Sequence, residues 1–227
     1  MTFLGWFRMI RQKFGELRVT ASAFGAYAGL LGMEHGFFET LQGNIAPKSV
    51  RIRAVSPWEL PFPFGHEPAL TLVPNLLLTG ILAMIVGLSV ITWSTAFIQK
   101  KGGAVVLFLL SIVLFLVGGG FGPMSLLIPA CIAAAGINRP FTWWRAHLPA
   151  NGRQLLAPLW PWCFVVALLY VPVEFVVGYI FGAKNDAQLN LVLCYPLVGF
   201  FLLTLITGLV CEIRTRIELH PKAVAPA

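Results

Sequence analysis

His35 and Glu39 stand four residues apart in MEHGFFE, a spacing that sets both side chains on one face of a helix. An imidazole and a carboxylate so placed can share a metal ion or exchange a proton. With His66 and Glu67 they would supply three or four ligands of a zinc-like or non-haem-iron-like transition-metal site. H-x-x-x-E is by itself no metal motif. The plainer reading is a helix end whose polar residues, Glu34 included, meet water and pair with Arg51 or Arg53. Glu174, in YVPVEFVVGY, is the sharper anomaly, because a carboxyl among apolar residues must be held neutral or given a partner. A structural pairing with His35, or with a backbone amide, competes there with a functional role. The run GGGFGP brings Gly118, Gly119, Gly120 and Gly122 together, and successive glycine N–H groups can cradle an anion. It matches neither a P-loop nor a dinucleotide fingerprint, and a tight turn with close helix packing explains it as well.

The elements that must position these residues are apolar to an unusual degree. Of 227 residues 58% are hydrophobic and 11% charged, with a mean hydropathy of +0.82. Uncharged runs of about 20 residues match the ~30 Å hydrocarbon core of a bilayer. In lipid, backbone polar groups must be satisfied internally, and the runs lack the alternation of barrel strands, so the expected class is an all-α polytopic transmembrane bundle. The spans read as 19–41, 69–98, 103–119, 122–138, 155–181 and 187–211. An extracytoplasmic loop fills 42–68, where the alternation in KSVRIRAV allows a short strand. Asn75 falls one turn into the second span, and residues 212–227 read as a polar cytoplasmic tail.

GGGFGP decides the topology. It interrupts 37 uncharged residues, 102–138, which as one helix would measure ~55 Å, too long for a single crossing. Glycines followed by Pro123 break such a helix, giving a hairpin of two short arms. Both termini then lie in the cytoplasm. Arg and Lys residues before Val19, at 100–101, between 139 and 153 and after Cys211 place twelve of the sixteen inside; Lys48, Arg51, Arg53 and Lys184 lie outside. An unbroken helix would leave only seven inside, so the positive-inside rule selects the hairpin. Its short arms put the turn below the outer surface, where irregular backbone needs burial in protein or a wet cavity.

The opening MTFLGWFRMIRQKFGELR lacks the continuous apolar core of a cleavable signal; Phe3, Phe7, Ile10 and Phe14 instead make 1–18 an amphipathic interfacial segment. The formal net charge of +7 fits cytoplasmic loops meeting anionic headgroups and is not read as nucleic-acid binding. Cys131, Cys163, Cys194 and Cys211 all fall in apolar runs and read as small buried hydrophobes. Trp58, Trp93, Trp143, Trp144, Trp160 and Trp162 read as interfacial anchors.

EHGFFETLQGN followed by GGGFGP resembles a pattern in small, uncharacterised prokaryotic multi-pass membrane proteins, across about the first 140 residues. The resemblance implies a prokaryotic plasma membrane and no particular activity. From the residues alone the leading function is translocation of a small solute or ion. Glu34 and Glu174 would take up protons or cations, His35 would relay them, and the glycine run would line the path. The small chain suggests a homo-oligomer in the bilayer. The rivals are a membrane-embedded metal-dependent enzyme acting on a lipid or quinone, and a non-catalytic subunit that docks a partner through the outer loop.

Overall fold

In the computed structural model, residues 14–53, 68–181 and 187–219 are described. The chain is helical apart from one short ribbon. Helix α1 is Glu16–Thr40, strands β1 and β2 are Arg51–Arg53 and Pro68–Leu70, and α2 is Leu76–Thr92, prolonged by a π-helical turn at Trp93–Phe97. Then come α3 (Gly103–Leu116), α4 (Phe121–Gly136), two short helices α5 (Thr142–His147) and α6 (Ala150–Leu156), and a 3-10 turn at Ala157–Leu159. The last two are α7 (Trp160–Phe181) and α8 (Ala187–Leu219).

Three helical stretches, Leu76–Phe97, Ala150–Glu174 and Tyr195–Glu218, are long and apolar enough to cross a membrane; α3 and α4 are shorter apolar helices. Large apolar side chains point outward along them: Ile85 and Leu88 on α2, Phe108 and Leu109 on α3, Leu169 and Val176 on α7, Val198 and Leu202 on α8 are each more than half exposed. So wide an apolar surface is stable against lipid and not against water. The length and composition of these helices are those of a multi-pass membrane protein.

Helix α1 differs from the rest. It packs chiefly against α2 and α4, with a smaller face on α8. Leu17, Ala21, Phe24 and Ala28 sink into one core with Leu107 and Leu114 of α3, Leu126 and Leu127 of α4, Trp160 and Phe164 of α7, and Phe201 of α8. Phe24 stacks on Phe164, with centroids 6.0 Å apart, and tilts against Phe201 at 5.1 Å. Glycine makes the α1–α2 contact possible. A Cβ on Gly29 would lie 2.6 Å from the Gly87 carbonyl, and one on Gly36 would lie 2.6 Å from the Gly80 carbonyl. The pairs sit seven residues apart on antiparallel helices, so two turns of backbone touch directly, as small residues permit in membrane bundles.

Several expected boundaries shift. Residues 16–18, expected in an interfacial segment, already belong to α1, and α8 runs to Leu219 through residues expected to form a tail. Residues 1–13, which carry most of that interfacial segment, lie outside the described residues. Thr71 pairs with Val117 and α2 starts only at Leu76, so the second span is shorter than 69–98. Asn75 is not inside that helix; it caps it, accepting from the Leu78 N–H at 3.0 Å. Trp160 is fully buried against Phe164 rather than anchored at an interface, while Trp143 and Trp162 are exposed.

One polar cluster fastens the end of the bundle where α1 begins. Glu212 of α8 accepts from the Glu16 N–H at 2.8 Å and the Leu17 N–H at 3.4 Å, capping α1 from another helix. Arg216 bridges to Glu212 and also donates to the carbonyls of Ile137 and Arg139, just past the end of α4. Glu16, itself buried, accepts from Thr215 Oγ1 and Cys211 Sγ, both at 3.2 Å. The Cys211 thiol is thus a donor as well as an apolar filler.

Two outcomes follow for the thermal midpoint of the detergent-purified protein. Gly36→Ala forces apart backbones in contact and should cost about 1–3 kcal/mol, whereas Gly199→Ala, with nothing within 4 Å of its Cβ, should be neutral or gain up to about 1 kcal/mol. Glu212→Ala strips the cap from α1 and the carboxylate from Arg216, and should cost about 2–4 kcal/mol.

Candidate functional site

The other end of α1 meets the glycine run. Helix α3 closes with Val117 as its last cap residue, and Gly118 follows at φ +92°. The Gly119 N–H returns to the Leu114 carbonyl at 2.8 Å, the long bond of a Schellman ending. The Gly118 N–H does not turn back into the helix. It donates to the Leu70 carbonyl of β2 at 2.8 Å, and the Leu72 N–H donates to the Leu116 carbonyl at 3.0 Å. The end of α3 therefore joins the edge of the β1–β2 ribbon, whose register is Arg51 with Leu70, Ile52 with Ala69 and Arg53 with Pro68. The expected strand in KSVRIRAV is β1. Gly120, at φ +80°, then leads into α4, and Pro123 occupies the first turn, where its missing N–H costs nothing.

Both special glycines are packed by side chains of α1. A Cβ on Gly118 would overlap both carboxylate oxygens of Glu39, with Oε1 at 2.7 Å, and would meet Thr79 Cγ2 at 2.6 Å. A Cβ on Gly120 would lie 2.6 Å from both Cε1 and Nε2 of His35. Glycine is required twice over, by backbone angle and by space. His35 is 6% exposed and Glu39 fully buried. Beside them the hydroxyls of Thr71 and Thr79, also buried, share a 2.8 Å hydrogen bond. Among the described residues, neither oxygen of Glu39 has a hydrogen-bond partner, and no salt bridge reaches it. The expected ion pair with Arg51 does not form here, since that side chain is exposed and bridges to no described carboxylate.

Four of the expected site residues thus converge: His35, Glu39, Gly118 and Gly120. Gly119 is buried in the same turn, packed on Leu114. Gly122 is half-buried in the first turn of α4, its carbonyl accepting from Ser125 Oγ at 2.6 Å. Glu34, on the same helix, is exposed on another face. Glu174 is buried on α7, whose principal neighbour is α8. His66 and Glu67 lie outside the described residues. Among the described residues, no group of three or more His, Cys, Asp or Glu side chains could hold a metal ion. Two polar residues of this end were not anticipated: Thr71 and Thr79, eight apart across the start of α2, with no sequence pattern to tie them to Glu39. At the opposite end Glu16 and Glu212 were also missed, since both fall at the polar margins of apolar runs. No family model, curated protein or solved structure matches the chain.

A double-mutant cycle tests the packing of the turn. Gly120→Ala should lower stability by about 2–4 kcal/mol through its backbone angle and its overlap with the imidazole. In the background of His35→Ala the added loss should shrink by about 1 kcal/mol or more, leaving the backbone strain. Additive losses would mean that His35 does not press on the turn.

Proposed function

We propose that this membrane protein passes or exchanges a small solute or ion at the glycine turn, with α1 crossing the bilayer at the centre of the bundle. One observation carries the reading: buried His35 and Glu39 close on an irregular segment between two short apolar helices. Ionisable groups at broken helices are how transporters build sites inside the membrane. Helices α3 and α4, of 14 and 16 residues, span ~21 and ~24 Å, less than a full bilayer core, which supports a turn below the outer surface. On this reading both termini are cytoplasmic, the membrane is a prokaryotic plasma membrane, and the working unit is a homo-oligomer. His35 relays and Glu39 neutralises what passes. Glu174 and Glu34 extend the path from α7 and from the exposed face of α1.

A second reading rests on the same contact. His35 and Glu39 reach one turn from one helix face and offer two ligands to a transition metal, with His66 and Glu67 as the remaining donors of an embedded enzyme acting on a lipid or quinone. Vesicles containing purified protein separate the two. Protein-dependent exchange of radiolabelled sodium, rubidium, phosphate or neutral amino acids, reduced at least about tenfold by Glu39→Gln, is the expected result. No exchange, together with stoichiometric metal lost in His35→Ala, would replace translocation with the enzyme.

A further inference from the structure

The described groups leave one buried carboxyl without a hydrogen-bond partner at this site. Glu16 accepts from Thr215 and Cys211, and Glu212 is held by Arg216 and two backbone N–H groups, so the carboxylates at the inner end have donors. Glu39 is equally buried and has none, from side chain or backbone. An ionised carboxylate without donors in an apolar surrounding costs several kcal/mol, and a cation held against it recovers that cost. Thr79 lies beside Glu39, its Cγ2 and both carboxylate oxygens meeting where a Cβ on Gly118 would stand. The Thr79 hydroxyl shares its hydrogen bond with that of Thr71, and Gly118 presents main chain with no side chain in the way. Oxygen donors suit hard cations. A single carboxylate balances one positive charge, and no other acidic or metal-ligating group joins it in a cluster of three among the described residues.

We infer that Glu39, backed by the Thr71–Thr79 pair and the main chain at Gly118, binds one alkali-metal cation. The inference rests on the translocation reading and names the ion that the site handles. Gly118 is then the residue that admits the cation's ligand: any side chain there would occupy the space of both Glu39 oxygens.

The test is thermal unfolding of the full-length protein in detergent, in lithium, sodium or potassium chloride against N-methylglucamine chloride at equal ionic strength. The wild type should gain about 5 °C or more in at least one alkali salt. Glu39→Gln carries no charge to compensate, so its midpoint should be the same in all four salts. Thr79→Val retains the carboxylate and should need a higher concentration of the same cation for half the shift. A wild-type midpoint indifferent to the cation, or an equal shift in Glu39→Gln, overturns the proposal. Should Glu39→Gln fail to fold, the wild-type salt series and the Thr79→Val titration decide alone. The vesicle exchange assay fails separately: solute exchange with no cation effect removes the cation and leaves translocation. A Glu39-dependent shift without exchange keeps the cation site and removes translocation.

Discussion

The rest of the structure depends on the closeness of two backbones. At Gly29 with Gly87, and at Gly36 with Gly80, α1 and α2 approach until carbonyl oxygens lie where side chains would start. Helix packing in lipid has little hydrophobic driving force, because lipid tails are as apolar as leucine, so close contact must come from shape. The glycines supply that shape. They also set the register of everything polar nearby. Gly36 is flanked by His35 and followed three residues later by Glu39, and Gly80 is preceded by Thr79, so the last glycine contact delivers all three to the same level. Moving α1 by one residue would turn His35 and Glu39 away from the glycine turn.

The turn has the complementary problem. It must reverse the chain between two apolar helices without leaving polar backbone unsatisfied. It solves this by borrowing hydrogen bonds from the ribbon: Leu70 accepts from Gly118 and Leu116 accepts from Leu72. A short piece of sheet at this end is thus structural, since it completes a helix ending that glycine began. With the backbone satisfied in this way, the side chains of α1 lie against the turn without having to hold it up, and the Glu39 carboxylate is left without a donor.

Much of this was legible from composition and spacing. Long uncharged runs, the break at GGGFGP and the alternation around Arg51 each correspond to an element, because length, helix breaking and pleat are local properties. The meeting of His35 with Gly120 and of Glu39 with Gly118 was legible only as two segments at one level. The sequence held a further signal that went unread: Gly25, Gly29, Gly32 and Gly36 stripe one face of α1, and Gly80 and Gly87 answer on α2. Boundaries were poorer. Polar residues such as Glu16 and Glu212 look like ends of spans when hydropathy is read alone, whereas in the fold Glu212 caps the helix that Glu16 begins, Glu16 accepts from Cys211 and Thr215, and both remain inside. Trp160 misleads for the same reason, since an indole N–H that finds Thr20 Oγ1 at 3.2 Å no longer needs the interface.

Helix α4 touches both polar ends. Its first residue follows the glycine that accommodates His35, and the carbonyls just past its last turn are gripped by Arg216. It is one rod of 16 residues, with Pro129 removing an N–H from its ladder midway. A rod fixed at both tips and softened at the middle has a natural mode, in which one half tilts while the other stays seated. The proline gives the bundle a flexure point between its two polar ends, so the glycine turn can yield without unfastening the cap on α1.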